Sequence, residues 1–398
     1  MLSVDEAIHA TLKDANALGV ERVPLTALPG RVAASDVIAR ITQPPFSASA
    51  MDGYAVRFQD AQKNARLKLV GETPAGSMSS SSVNEGEAVR IFTGAPVPDG
   101  ANHVVIQEDT KREGDEVLIT EAQDRARNIR QAGVDFHEGD VLVQAGDVLH
   151  EIHGAIIAAA NIPEVEVLRR PRVVVFSNGD ELKEPGTDLQ FGQIINSNHY
   201  ALCAMINKWG GQAVYIGRAP DDRAAVKSFF EKAEGADIIV PVGGASVGDY
   251  DFVKSAFDDA GGKLVFEKIA VRPGKPTWFG QLGNAKVLGL PGNPASAIVC
   301  AALFIQPLVR RLAGFPQGAS LSLRKARLAE DLGANGGREA FLRAAMTTGQ
   351  DGALMVSSAP NQDSSLLLPF GKANVLIRRL ANAPSAQKGD EIDIVQLR

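Results

Sequence analysis

The chain has few thiols: in 398 residues there are two cysteines, Cys203 and Cys300, each inside an apolar helical pattern. That argues against a disulfide framework and against a thiolate metal site, and it suits a reducing compartment. No run of eighteen apolar residues occurs, so no membrane partner is expected. The start MLSVDEAIHATLKDA lacks the basic and apolar segments of a leader peptide, and the expected location is the cytoplasm. Neither sign of charge dominates. With a net charge of −6 and 22% charged residues, a general nucleic-acid surface is not expected, and an anionic ligand must meet locally gathered Lys and Arg. Familiar signatures are missing as well. There is no GK[ST] phosphate loop, no GxGxxG spacing and no HExxH. His150-Glu-Ile-His153 has two histidines three apart and no third ligand to suggest a metal centre.

The length allows several domains, and the texture changes along the chain. Ser3-Val-Asp-Glu6 is a capping-box pattern, followed by Val4, Ile8, Leu12 and Ala15 at helical spacing. From Gln43 to about His137, short apolar runs separated by turn-rich stretches predict an inserted β domain. Gly139-Asp-Val-Leu142 recurs as Gly146-Asp-Val-Leu149, which reads as a hairpin-like echo. A helix near His153–Asn161 follows.

From about Arg169 to Gly314, apolar strands alternate with helices. Strands are expected at 173–176, 213–216, 238–240 and 287–290, with helices near 193–208, 221–234, 251–259 and 294–312. This alternation means a mostly parallel sheet covered by helices on both faces, with ligands bound at the carboxyl ends of the strands. At those ends lie Ser177-Asn-Gly-Asp-Glu181, Val242-Gly-Gly-Ala-Ser-Val-Gly-Asp-Tyr-Asp251 and Pro291-Gly-Asn-Pro-Ala-Ser296. Glycines admit backbone N–H groups to an anion, and aspartates beside them call for a cation, so the middle loop suggests a phosphate and a metal together. The third loop opens a helix near Pro294 whose free N–H groups can face an anion. Arg272 and Lys275 flank a Pro-Gly turn and can clamp an oxyanion. Asp180 and Glu181 are adjacent, and in an extended segment only one of them faces a given ligand. Beyond Gly314, strands are expected near 320–327, 341–345, 354–356, 375–378 and 392–395. The fold class is therefore multidomain, mixed α/β and β: a central doubly wound, three-layer α/β domain, an inserted β domain and a C-terminal β domain.

Several blocks in order now carry a resemblance: Ser49-Ala-Met-Asp-Gly-Tyr-Ala55, Phe92-Thr-Gly-Ala95, Asn128-Ile-Arg130 with Gly133 and Asp135, Gly179-Asp-Glu-Leu182, Gly192-Gln-Ile194 with Asn196 and Asn198, Gly243-Gly-x-Ser-x-Gly-Asp-Tyr-Asp251, Pro273-Gly-Lys-Pro276 and Leu290-Pro-Gly-Asn-Pro294. Together they resemble the molybdopterin molybdenumtransferase family, related to the E domain of gephyrin. The resemblance implies joining of molybdate to adenylated molybdopterin with release of AMP, assisted by Mg²⁺. It also implies a homodimer whose site is shared between the α/β domain of one subunit and the β domain of the other. Transient contact with the molybdopterin adenylyltransferase and with molybdoenzyme chaperones is implied too.

The implied domains are 1–45 with 138–168, 46–137, 169–317 and 318–398. Carried over position by position, Asp52, Thr93, Asp135, Glu181 and Asp249 are the catalytic candidates. Arg130, Asp180, Gly243, Gly244, Ser246, Asp251, Arg272, Lys275, Pro291, Asn293 and Pro294 are the substrate-binding ones, and Glu181, Asp249 and Asp251 the metal-binding ones. Four positions depart from the family pattern: Asn178 for threonine, Ala245 for valine, Arg272 for lysine, and Asp363 where small residues are usual. Two rival readings are a gephyrin-like scaffold and an enzyme of the same α/β fold that adenylates molybdopterin or cleaves nucleotide pyrophosphates. The blocks SAMDGYA and FTGA favour molybdenum insertion over the second.

Overall fold

The computed structural model describes residues 1–77, 81–244, 252–316, 321–349 and 352–397. At its centre is a six-stranded sheet in the order Gln212–Ala219, Arg172–Asn178, Ile238–Val242, Ala285–Gly289, Trp278–Leu282, Lys263–Phe266. The first four strands run parallel and the last two join antiparallel. Their apolar runs are unbroken because both faces are covered. Val173, Val175, Ile238 and Val240 enter one core with the helices Asn198–Lys208 and 294–312. Val174, Phe176, Ile239 and Val287 enter the other, with Arg223–Lys232 and Phe252–Asp259. The two-residue alternation of a strand thus builds three layers.

The long helix 294–312 runs through a π-helical stretch at Ala301–Ile305. It is apolar and long enough to cross a membrane, yet it is a core helix, 83% buried in its most apolar window.

The opening helix Val4–Leu12 has the expected capping box: the Glu6 N–H donates to Ser3 Oγ at 3.2 Å and the Ser3 N–H to Glu6 Oε2 at 2.8 Å. Its placement differs from the N-terminal unit assigned from sequence. Val4, Ala7 and Ile8 pack into the α/β core beside Leu308 and Leu312, and the Leu18 N–H donates to Leu312 O at 2.9 Å. An amphipathic helix goes to the apolar surface that fits it, and chain order does not dictate which one.

The N-terminal unit is built on Leu28, Val37, Val143, Leu149, Ile157 and Val167. Here the repeated GDVL is not a hairpin of two copies. Each copy forms the same turn, Asp140 Oδ2 accepting from the His137 N–H and Asp147 Oδ2 from the Gln144 N–H. Both turns then dock on one segment, through Gly139 N–H to Ala39 O and Gly146 N–H to Ala33 O.

The inserted domain is a six-stranded sheet in the order His103–Ile106, Gly53–Val56, Glu87–Ile91, Arg66–Thr73, Glu116–Ile119, Thr110–Glu113. In the C-terminal domain, the strands Glu339–Thr348, Leu354–Ser358, Leu323–Leu328, Glu391–Gln396 and Val375–Arg379 close into a barrel, because the first also pairs with the last. Val271–Arg272, from the α/β region, adds a parallel strand to this barrel at Glu339–Ala340.

Candidate functional site

The candidate residues fall into two groups. In the β domain, Ser49 and Ala50 hydrogen-bond to Ala95 and Asn128, so the segments that carry Asp52, Thr93 and Arg130 lie side by side. Asp52 Oδ1 accepts from the Thr93 N–H at 2.7 Å and from the Thr93 hydroxyl at 2.8 Å. These two bonds hold its carboxyl below the ordinary range, with Arg90 adding to the effect. Arg130 and Asp135 are exposed on the same connection, fixed where the Asp135 N–H donates to Gln43 O at 3.1 Å.

The second group lies at the carboxyl ends of the parallel strands. Gly243 and Gly244 have positive φ, 101° and 65°. A methyl group on Gly243 would sit 2.5 Å from the Asn178 carbonyl oxygen, and one on Gly292 would sit 3.6 Å from the Gly243 Cα. The three loops therefore meet, and at Gly243, where φ is positive and the Asn178 carbonyl is close, only glycine fits.

Asp180 and Glu181 are not in an extended segment. They form a turn closed by the Leu182 N–H on Gly179 O, and both are exposed. Asp180 is already paired with Arg218 at 3.1 Å, and Arg218 also donates to Gly179 O at 3.0 Å. Sequence reasoning missed Arg218, although the residue at the carboxyl end of the neighbouring parallel strand was the place to look.

Arg272 and Lys275 are exposed, and among the described residues neither has a carboxylate partner. Their turn is anchored on the long helix, since a side chain at Gly274 would overlap Cys300 Sγ. The Cys300 thiol is fully buried, and burial pushes it up to about 12. It is a packing group, not a nucleophile.

The third loop departs from expectation. Pro291 is buried, Pro294 starts the helix and Asn293 is its N-cap residue, yet the helix end is not free. The Ala295 N–H donates to Ser364 O at 3.0 Å, and Asn293 Nδ2 donates to Ser364 Oγ at 3.1 Å. Ser364 comes from a C-terminal loop gathered by Arg343, only 2% exposed, which donates to the Leu366, Asn361 and Asp363 carbonyls and to Gln362 Oε1. Asp363, one of the departures, closes this loop by accepting from Ser365, and those bonds lower its carboxyl pKa.

Beneath the first loop lies a buried polar network. Ser177 Oγ donates to Asn196 Oδ1 at 3.0 Å, and Asn196 Nδ2 donates to the Tyr215 hydroxyl at 2.7 Å and to Glu184 Oε1 at 3.3 Å. The His199 ring stacks on Tyr215, and burial lowers its pKa. Asn178 fills the remaining gap, donating to Ala219 O and Pro220 O.

Ala245, Ser246, Asp249 and Asp251 lie outside the described residues. Among the described residues no cluster of three or more His, Cys, Asp or Glu is placed to hold a metal ion, and of the metal candidates only Glu181 can be located. Its carboxylate is exposed and turned over Gly179. It has the donor type Mg²⁺ prefers, whereas Asp180 is committed to Arg218. Nor does the chain bring its two groups together: among the described residues no hydrogen bond or ion pair joins the inserted domain to the α/β domain.

Glycine loops and an exposed acid at one sheet edge, two exposed cations on a turn packed against the long helix, and a hydrogen-bonded carboxylate on a β domain are the groups an enzyme for an anionic, phosphate-bearing substrate uses. Family models match in sequence: the MoeA N-terminal region (domain I and II) over residues 2–161, a probable molybdopterin-binding domain over 174–311 and the MoeA C-terminal region (domain IV) over 325–397. The chain is 35% identical to a molybdopterin molybdenumtransferase of Haemophilus influenzae, covering 99% of this chain and 98% of that one. It is 38% identical to one from a Nostoc species, over 81% of this chain and 76% of the other. A solved molybdopterin biosynthesis MoeA protein from Pyrococcus horikoshii superposes with a TM-score of 0.81 at 31% identity, covering 100% and 99% of the two chains. The chain belongs to the molybdopterin molybdenumtransferase family, MoeA.

Proposed function

We propose that this chain is a molybdopterin molybdenumtransferase that joins molybdate to adenylated molybdopterin and releases AMP. The observation that carries the reading is the meeting of three glycine-bearing loops, in a chain of this family whose two cations Arg272 and Lys275 lie exposed on a turn packed against the helix that the third loop opens. Backbone N–H groups at Gly243 and Gly244 suit the pyrophosphate of the substrate. Arg272 and Lys275 supply the positive charge that a tetrahedral dianion needs next to the pterin sulfurs, and Ser246 contributes a hydroxyl there. Asn293, Pro291 and Pro294 shape the wall opposite. Asp180, neutralised by Arg218, orients the first loop and does not repel the anion. Glu181, with Asp249 and Asp251, would hold Mg²⁺, which supplies neutralisation of the pyrophosphate charge.

The reading extends to a homodimer. Asp52, Thr93, Arg130 and Asp135 complete the site from a second copy, where Asp52, kept ionised by Thr93, accepts protons or orients water. Exposed apolar side chains flank both halves: Phe46, Met51 and Val134 near Asp52 and Asp135, and Leu189, Phe191 and Ile194 near Glu181. Surfaces of this kind are covered in assemblies. We place the enzyme in the cytoplasm, with the adenylating enzyme and molybdoenzyme chaperones as transient partners.

The test is to incubate the protein with adenylated molybdopterin and Mg²⁺, with and without molybdate. AMP release and activation of a cofactor-free molybdoenzyme are then measured. Molybdate-dependent AMP release with activation supports the reading. AMP release that ignores molybdate and activates nothing overturns it.

A further inference from the structure

Asn198 is the first residue of the helix Asn198–Lys208, and it does not cap that helix: the N-cap residue is Ser197, which makes no side-chain cap bond. Asparagine is a weak helix former, so packing within the helix does not account for it. Its Nδ2 donates to the Gly292 carbonyl at 2.7 Å, across 94 residues of chain, and its Oδ1 is buried with no partner among the described residues. Among the described residues the Gly292 bond is thus the side chain's one hydrogen bond. It lands at the centre of Pro291-Gly-Asn-Pro294, where Gly292 packs on Gly243 of the middle loop. From the opposite side the same loop is held through Asn293 and Ala295 by Ser364.

We propose that Asn198 is a positioning residue for the reaction: its amide sets the Gly292 carbonyl, and through it the spacing of the second and third loops around the substrate. This rests on reading those loops as the substrate site. Only a donor can face a carbonyl oxygen, so the chemistry is specific to the amide N–H₂. A carboxylate of the same shape would repel Gly292, whereas a protonated carboxyl would donate to it.

The experiment uses the full-length protein and measures molybdate-dependent AMP release between pH 5 and 8 for wild type, Asn198→Asp and Asn198→Ala, with thermal melting of each. At pH 8, Asn198→Asp loses roughly tenfold to a hundredfold in kcat/KM, as expected for a misplaced loop. Relative to wild type it recovers about tenfold or more as pH falls and the new carboxyl protonates. Asn198→Ala is impaired at every pH without that recovery. A merely structural residue would shift melting in both variants and leave the pH profile parallel to wild type, and that result overturns the proposal. So do variants within about twofold of wild type throughout. If wild type itself shows no molybdate-dependent AMP release, the functional reading fails instead, and with it the substrate role of this clamp.

Discussion

The two halves of the proposed site are built differently. In the β domain the carboxylate is finished: Asp52 already has two donors from Thr93, 2.7 and 2.8 Å away, and is held ionised by them. In the α/β domain the walls are fixed and the charges are open. Loops 177–181, 243–244 and 290–294 are held by glycine contacts, Asn198 and Ser364, while Arg272, Lys275 and Glu181 face solvent. A group that must act in one protonation state is preorganised by its own chain, whereas groups that must neutralise a substrate are left for the substrate.

The largest effect should come from removing the open charges. Arg272→Ala with Lys275→Ala should lower kcat/KM by about a hundredfold or more, with melting nearly unchanged because neither cation has a carboxylate partner among the described residues. A large drop in melting temperature would mean that these cations hold the fold and not a ligand. Next is the framework: Arg343→Ala removes the buried guanidinium that gathers the 361–366 loop and should cost about 3 kcal/mol in urea unfolding, with activity lost through Ser364. Unaltered stability would show that the loop holds itself.

Thr93→Val should raise the Asp52 pKa towards its ordinary value, read by carboxyl NMR titration, and reduce kcat/KM by about tenfold. An unmoved Asp52 would erase the contrast between the halves. The smallest effect is one of pH. His103 is buried, its Nδ1 accepts the Arg127 N–H at 2.9 Å, and burial lowers its pKa from the ordinary 6.5. As pH falls through that ordinary value, the unfolded chain gains a proton that the folded β domain refuses, so stability declines. Replacing His103 with Gln should flatten the melting profile between pH 7.5 and 5.5; an unchanged slope would assign it to other groups.

Much of this was legible in the sequence because the signals are local. Unbroken apolar strands ending in Ser177-Asn-Gly-Asp-Glu181 and Pro291-Gly-Asn-Pro294 announce a parallel sheet and its ligand edge, and Ser3 with Glu6 announces a helix start. What stayed hidden depends on distant partners. Ser364 reaches the helix start from 71 residues beyond Asn293, and no spacing rule reports that. The opening helix carries an apolar stripe that says it is buried but not against which unit. Arg218 sits in a strand whose apolar pattern masks a charged end, and the doubled GDVL looked like a hairpin because turn chemistry alone does not name the segment it docks on.

The proposed function requires that the two halves form one site only between copies of the chain. It is tested by refolding or co-expressing Asp52→Asn chains with Arg272→Ala/Lys275→Ala chains and measuring molybdate-dependent AMP release from the mixture. Random pairing makes half of the dimers mixed, each with one intact site of two, so a shared site gives about a quarter of wild-type activity from two nearly inactive parents. Activity no greater than the average of the parents would contradict it.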